Sequence, residues 1–253
     1  MKPFTDHKCR EIIQEISSNT KFVYSKMVPE FGLHLITPEM EIWHKPVDES
    51  SHQNIDIFKR NQEPYWAVFW PGGQVLCRYI LDYPAVLKGK RVVDFGAGSG
   101  ALCIASILAG CEQVIANDID ATSLSATLLN VEKNLIDSAK LQLSKINFLE
   151  GSIIENAREL ALISDVLLIG DMYFDEQIGD KISHLVSNFI SCGYGSKSNH
   201  KAVLIGDPGR WYLRDKNKRD LCRLRCIAKY ELSDEIKTHN FGLTHGLIYE
   251  PIL

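Results

Sequence analysis

Between Val92 and Ala101 the chain reads Val-Val-Asp-Phe-Gly-Ala-Gly-Ser-Gly-Ala. Gly96, Gly98 and Gly100 alternate behind a short apolar run, with Ala97 between the first two. Glycines at this spacing let a backbone turn tightly and come close to a ligand. A helix opening behind them aims its first N–H groups at that ligand. Asp118 ends the next apolar run, where a carboxylate can take ribose hydroxyls, and Ile119 stands beside it. Asp120 lies past the strand end and reads as the cap of the next helix. Gly96, Gly98 and Ala101 also satisfy the nicotinamide dinucleotide fingerprint. Asp94 separates the two readings. A carboxylate two residues ahead of the first glycine would repel a pyrophosphate, whereas it suits a cofactor that carries positive charge and no phosphate.

Val-x-Asp-x-Gly-x-Gly-x-Gly resembles the first motif of class I methyltransferases, whose cofactor is S-adenosylmethionine. Asn117-Asp118-Ile119-Asp120 resembles their second motif. In that class the corner after the third strand borders adenine. Here it is Glu150-Gly151-Ser152-Ile153, with Ser152 at the usual acidic position, so Ser152, Ile153 and the backbone are the candidates. The class places methyl-acceptor residues after the fourth strand, where this chain has Asp171-Met172-Tyr173-Phe174-Asp175-Glu176. No proline lies between Asp171 and Phe174, which argues against amide or adenine amine acceptors. A single carboxylate suits lysine. Its ammonium has a pKa of about 10.4, so freeing the nucleophilic amine at pH about 7.4 costs about 4 kcal/mol. Asp171 would bind and orient that ammonium for an in-line displacement. The plainer alternative is a carboxylate capping the helix that begins near Asp175.

These residues need a scaffold. Arg91–Phe95, Gln113–Asn117, Ile146–Leu149, Asp165–Ile169 and Lys201–Ile205 are apolar runs predicted as strands. Between them, residues up to Ala109 before Gly110, then Ala121–Asn134 and Glu176–Ile190, read as helices. Strands apolar on both faces and alternating with helices imply an α/β fold with a mostly parallel sheet covered on both sides. A helix near Leu213–Cys222 and strands near Cys226–Leu232 and Leu243–Pro251 follow, the last two close enough to pair antiparallel. Upstream, Cys9, Ile12, Ile13 and Ile16 share one helix face over Thr5–Ser18, with Thr5 as N-cap. Leu33–Trp43 reads as short extended segments around Pro38, and Val47–Glu63 as a polar exposed loop. Residues 1–63 are thus expected to be an elaboration, and 64–253 the catalytic domain.

Three further strings converge. Pro64-Tyr65-Trp66-Ala67-Val68-Phe69-Trp70-Pro71-Gly72-Gly73-Gln74 precedes the glycine loop, Asp171–Glu176 follows strand four, and Leu204-Ile205-Gly206-Asp207-Pro208-Gly209-Arg210 ends strand five. Together they resemble the family of lysine methyltransferases that act on the electron transfer flavoprotein beta subunit, within the seven-β-strand protein lysine methyltransferases. The resemblance runs from about Glu11 to the C-terminus and includes Leu35-Ile36-Thr37-Pro38. It implies a Rossmann-like seven-stranded sheet of order 3-2-1-4-5-7-6 with the last strand antiparallel. It also implies S-adenosylmethionine as cofactor, that flavoprotein subunit as protein substrate, a monomer, and the mitochondrial matrix or, as in bacterial relatives, the cytosol. Trp70 stands where the family has a tryptophan beside the cofactor, and Gly72 and Gly73 would open a helix through Val75, Leu76, Tyr79 and Ile80. The family carries Asp-x-x-Tyr after strand four, and here the fourth position is Phe174; either Tyr173 supplies the catalytic hydroxyl from a shifted loop, or the hydroxyl is dispensable.

The composition is that of an ordinary globular chain: 253 residues, 45% apolar, 24% charged and a net charge of −4. It gives no bulk positive charge for nucleic acid and no run of 18 apolar residues for a membrane span. Met1–Arg10 contains Asp6 and lacks an apolar core, unlike a secretory or transit segment. Seven cysteines, an odd number without C-x-x-C spacing, suggest reducing surroundings and no disulfide framework or metal site, Cys222 and Cys226 lacking partners. Arg210–Arg225 is rich in Arg and Lys; it reads as a solvated helix face, or as an electrostatic docking surface for a partner. Competing functions are a methyltransferase for a ribosomal protein or RNA, a catalytically silent cofactor-binding module, and a nicotinamide oxidoreductase, the last opposed by Asp94.

Overall fold

A computed structural model describes residues 7–44, 64–134, 143–193, 201–239 and 242–252. The expected N-cap Thr5 and the expected loop 47–63 lie outside the described residues. The scaffold is a seven-stranded sheet of β3 (Arg91–Phe95), β4 (Gln113–Asp118), β5 (Ile146–Glu150), β6 (Val166–Gly170), β7 (Ala202–Asp207), β8 (Leu224–Glu231) and β9 (His245–Pro251). Its order is β5-β4-β3-β6-β7-β9-β8. β3 to β7 run parallel, and β9 pairs antiparallel with both β7 and β8. Numbered from β3, this is the order 3-2-1-4-5-7-6 with the last strand antiparallel, as the resemblance implied.

Both faces of the sheet are apolar because both are covered. Val92, Val114, Val166 and Leu204 face α3 (Pro71–Asp82), α4 (Ala101–Leu108) and α5 (Ala121–Asn134). Val93, Ile115, Leu167 and Ile205 face α6 (Ala157–Ile163) and α7 (Glu176–Ser191). The register sets Phe95 beside Asn117 and Ile169, and Gly170 beside Gly206. The chain therefore leaves β3, β4, β6 and β7 at one edge, where an open α/β sheet binds its ligand.

The described N-terminal residues share this core. α1 (His7–Asn19) buries Ile12 and Ile16 against Ile36, Trp66, Ala126 and Leu129. β1 (Lys21–Tyr24) and β2 (Gly32–Leu35) form an antiparallel pair whose Leu33 and Leu35 join the main cluster. Two asparagines one helical turn apart on α5 hold this pair. Asn134 exchanges hydrogen bonds with the Gly32 backbone, and Asn130 accepts from His34 N–H at 2.7 Å. Asn130 also donates to the Ser99 carbonyl of the glycine loop at 2.9 Å.

Three local expectations need correction. The segment after Pro38 is not extended, because a turn starting at Thr37 leads into α2 (Glu41–His44). The helix expected near Leu213–Cys222 is two, α8 (Trp211–Arg214) and α9 (Lys216–Leu221). Asp215 between them has extended backbone, and its carboxylate caps α9 by accepting from Asn217 and Lys218 N–H. β1, α6 and α10 (Asp234–His239) were not anticipated.

Candidate functional site

The glycine loop is a set of positive-φ turns: Gly96 at 75°, Gly98 at 54° and Gly100 at 83°. Only residues without a Cβ adopt these cheaply. Gly96 and Ala97 N–H donate to the Asn117 carbonyl, and Gly98 N–H donates to Asp118 at 3.0 Å. The second carboxylate oxygen of Asp118 accepts from Asp120 N–H. Asp118 thus ties the loop to the end of β4. Burial pushes its carboxyl upward, while these N–H groups pull it down. Asp120 caps α5 through Thr122 N–H, as expected. Ile119 stands 65% exposed at the rim, an apolar surface for a flat ring.

Asp94 is 0% exposed. One carboxylate oxygen caps α4, accepting from the Cys103 thiol at 3.2 Å and from Cys103 N–H. The other has no partner. A buried, half-bonded carboxylate is costly as an anion, and burial, then the nearby Asp118, push its pKa up to about 7. A cation would restore what burial removes. An ammonium and a sulfonium fit this donor set, and a pyrophosphate does not.

The corner after β5 is split. Ser152 is exposed, and Asn117 fixes the turn by donating to the Leu149 and Gly151 carbonyls. Ile153, expected at the cofactor, is buried in the apolar cluster under α6, so the rim here is Ser152 and backbone.

Asp171 follows β6 with φ 59°, a left-handed backbone that few side chains adopt. It does cap a helix, though not the one beginning near Asp175, which Asp175 itself caps. It accepts from Gly72 N–H at 2.7 Å, in the first turn of α3. The α3 N-cap, Trp70, has no side-chain cap to offer, and Asp171 supplies one from across the sheet edge. Its other oxygen accepts from Arg210 Nε–H. Burial raises the Asp171 carboxyl, opposed by this guanidinium. Arg210 also lies over the Trp70 indole, 5.6 Å from its centroid. Trp70 is thereby placed on the Asp171 side of the site, its Nε1–H donating to the Tyr65 carbonyl.

Tyr173 is not brought to this site. It is fully buried against Tyr212, ring centroids 5.3 Å apart, under α7, and its hydroxyl has no partner. The catalytic hydroxyl expected there is corrected by this burial: the residue after Met172 turns back into the core. Phe174 instead faces solvent and stacks on exposed Tyr65 at 6.4 Å.

Three contributors escaped the sequence reading. Met172 rests its thioether on Gly96, dividing the glycine loop from the Asp171 side. Arg210 stood inside a basic run, with nothing in the sequence to pair it with Asp171. Asp207 turns the chain after β7, one oxygen accepting from Gly209 and Arg210 N–H. Its other oxygen is buried without a partner. Burial and the nearby Asp171 push its carboxyl up to about 7. Three other members of the basic run have partners within the chain: Lys218 with Glu176 and Asp180, Arg225 with Glu250, and Arg219 with the Leu213 carbonyl.

Residues 74–168, from α3 into β6, match the family model described as Ribosomal protein L11 methyltransferase (PrmA). Over 236 residues the chain is 36% identical to the "Electron transfer flavoprotein beta subunit lysine methyltransferase" of Danio rerio, covering 92% of this chain and 81% of that protein. The human protein of the same name is 32% identical over 247 residues, covering 97% and 83%. Among solved structures, a Streptococcus mutans protein described as a SAM-dependent methyltransferase superposes with a TM-score of 0.51 at 10% identity. It covers 70% of this chain and 47% of that one.

Proposed function

Because the chain belongs to the family of electron transfer flavoprotein beta subunit lysine methyltransferases, we propose that it methylates lysines of that subunit with S-adenosylmethionine. The observation that carries the chemistry is the buried Asp94 carboxylate with one oxygen unpartnered, a seat for a cationic cofactor. When bound, that cofactor supplies an electrophilic methyl group on a sulfonium. Asp94 would receive its cationic amino-acid end and Asp118 its ribose, and Ile119 and Ser152 would border its adenine. Gly96, Ala97, Gly98 and Gly100 give the close backbone approach.

Met172 and Asp171 lie between that pocket and the acceptor. Asp171, Trp70 and Phe174 would receive the lysine ammonium, which would release a proton to solvent water to leave a nucleophilic amine. Orienting that amine toward the methyl group is the main contribution these side chains would make.

Purified beta subunit incubated with the chain and methyl-labelled cofactor should gain label on lysine. A mitochondrial extract in which other proteins are labelled and the beta subunit is not would overturn the substrate. The match to the ribosomal protein L11 family model covers the cofactor half of the sheet and favours a second reading, a ribosomal acceptor. That reading requires the label to travel with ribosomes.

A further inference from the structure

We infer that Arg210 is a resident cation seated where the acceptor lysine's ammonium binds, and that the acceptor displaces it. This rests on the lysine methyltransferase reading above.

Both oxygens of Asp171 are already engaged, one by Gly72 N–H and one by Arg210, and its side chain is 1% exposed. At Asp171 an incoming ammonium finds no vacant oxygen. What it finds is a built cation site that is already filled. Asp171 supplies the charge and the Trp70 indole supplies an aromatic face, with the guanidinium lying over it.

The charge balance makes exchange the natural event. Asp171 and Asp207 are both buried and repel each other, and Arg210 is the cation bonded to both residues, through its side chain to one and its backbone N–H to the other. If the guanidinium left alone, two buried carboxylates would remain without a counter-charge. If an ammonium arrives as it leaves, the balance is kept. A neutral side chain cannot trigger the exchange, so the seat selects for a cationic acceptor.

The geometry lets the side chain go while the backbone stays. Arg210 N–H remains on Asp207 at 2.8 Å. Gly209 before it, at φ 86°, has nothing within 4 Å of where a Cβ would stand. The Arg210 side chain is 19% exposed, so bond rotation carries it directly into solvent. Tyr65 and Phe174 expose stacked rings, and Tyr65 lies 6.0 Å from Trp70. Together they form an apolar strip for the aliphatic stem of a lysine leading to the seat.

The test is Arg210→Gln against wild type, with labelled cofactor and the purified beta subunit. Failure of the wild type to label any lysine overturns the parent reading, and this inference with it. With an active wild type, Arg210→Gln should lower the acceptor KM by about tenfold, with cofactor affinity unchanged. Ethylguanidinium should then compete with the acceptor in the variant and not in the wild type. A KM that is unchanged or raised, or no competition, overturns the inference. The wild type offers a second measurement should the variant fail to fold. The Arg210 Nε–H signal, observed by nitrogen-15 NMR, should lose its exchange protection when acceptor and S-adenosylhomocysteine are added. Protection retained at saturating acceptor overturns the inference equally.

Discussion

Asp94 sits in the interior with one oxygen bonded and one bare, and its titration follows from that. Its carboxyl, ordinarily near 3.8, is pushed up to about 7. Below that pH the site holds a neutral acid and offers little to a cation. Cofactor binding should therefore tighten as pH rises through about 7, measured by calorimetry from pH 6 to 8. Asp94→Asn should flatten this dependence and weaken binding by about 10–100-fold, the loss of one charged hydrogen bond. The same shift acts oppositely on the ligand-free fold. Unfolded Asp ionises near 4, so this group's contribution to stability falls as pH climbs from about 4 to about 7. At Tyr173 the expectation is the reverse of a catalytic role. Its hydroxyl is buried without a partner, so Tyr173→Phe should keep kcat within about twofold and cost no stability. A tenfold loss of kcat would restore the hydroxyl to the mechanism. The acidic residues were legible because charge type and spacing speak to a cationic ligand. Arg210 was not, because an ion pair spanning the ends of two strands leaves no local pattern.

At the scale of elements, the first turn of α3 is the joint on which the acceptor side depends. It lies directly on β7, and Gly72 and Gly206 allow that approach. A Cβ at Gly72 would run into the Gly206 carbonyl and stand 2.8 Å from the Asp171 amide nitrogen. Gly72→Ala should cost about 1–3 kcal/mol, as overpacking does. In a chain of this size that lowers Tm by roughly 2–12 °C. It should also raise the acceptor KM while leaving cofactor affinity nearly intact, because Asp94 and the glycine loop lie on other strands. Equal losses in both affinities would contradict this division. The strands were legible because each buried run is apolar on both faces. The break at Asp215 was not, since a capping carboxylate inside a charged run looks like one more solvated residue. α6 is only seven residues long and gives too little periodicity to read.

At the scale of the whole molecule, the N-terminal elements and the sheet act as one body. Leu33, Leu35 and Phe31 share the main cluster with β3 and α4. Asn130 joins them at a point, holding β2 with its oxygen and the Ser99 carbonyl with its nitrogen. Asn130→Ala leaves both buried groups unpaired, at about 1–3 kcal/mol each. It should lower Tm and weaken cofactor binding together, although the residue is remote from Asp171; an unchanged cofactor affinity would show that the N-terminal pair does not steady the loop. Sequence patterns showed that a helix stood upstream. They could not show that it and the pair beside it complete the core, because that depends on asparagines whose partners lie about a hundred positions away.

The sheet order also carries a consequence in time. β9 is made after β8, yet it lies between β8 and β7. On the ribosome β3 to β7 emerge first, and their pairing with one another uses no residue of β8 or β9. β7 keeps an unpaired edge until residues 245–251 appear, and that edge ends in Asp207, whose neighbour three residues on is Arg210. β9 is thus the last wall of the acceptor side to be made, and β8 has no sheet neighbour before it. During that interval the open edge is the surface on which nascent chains would adhere to one another.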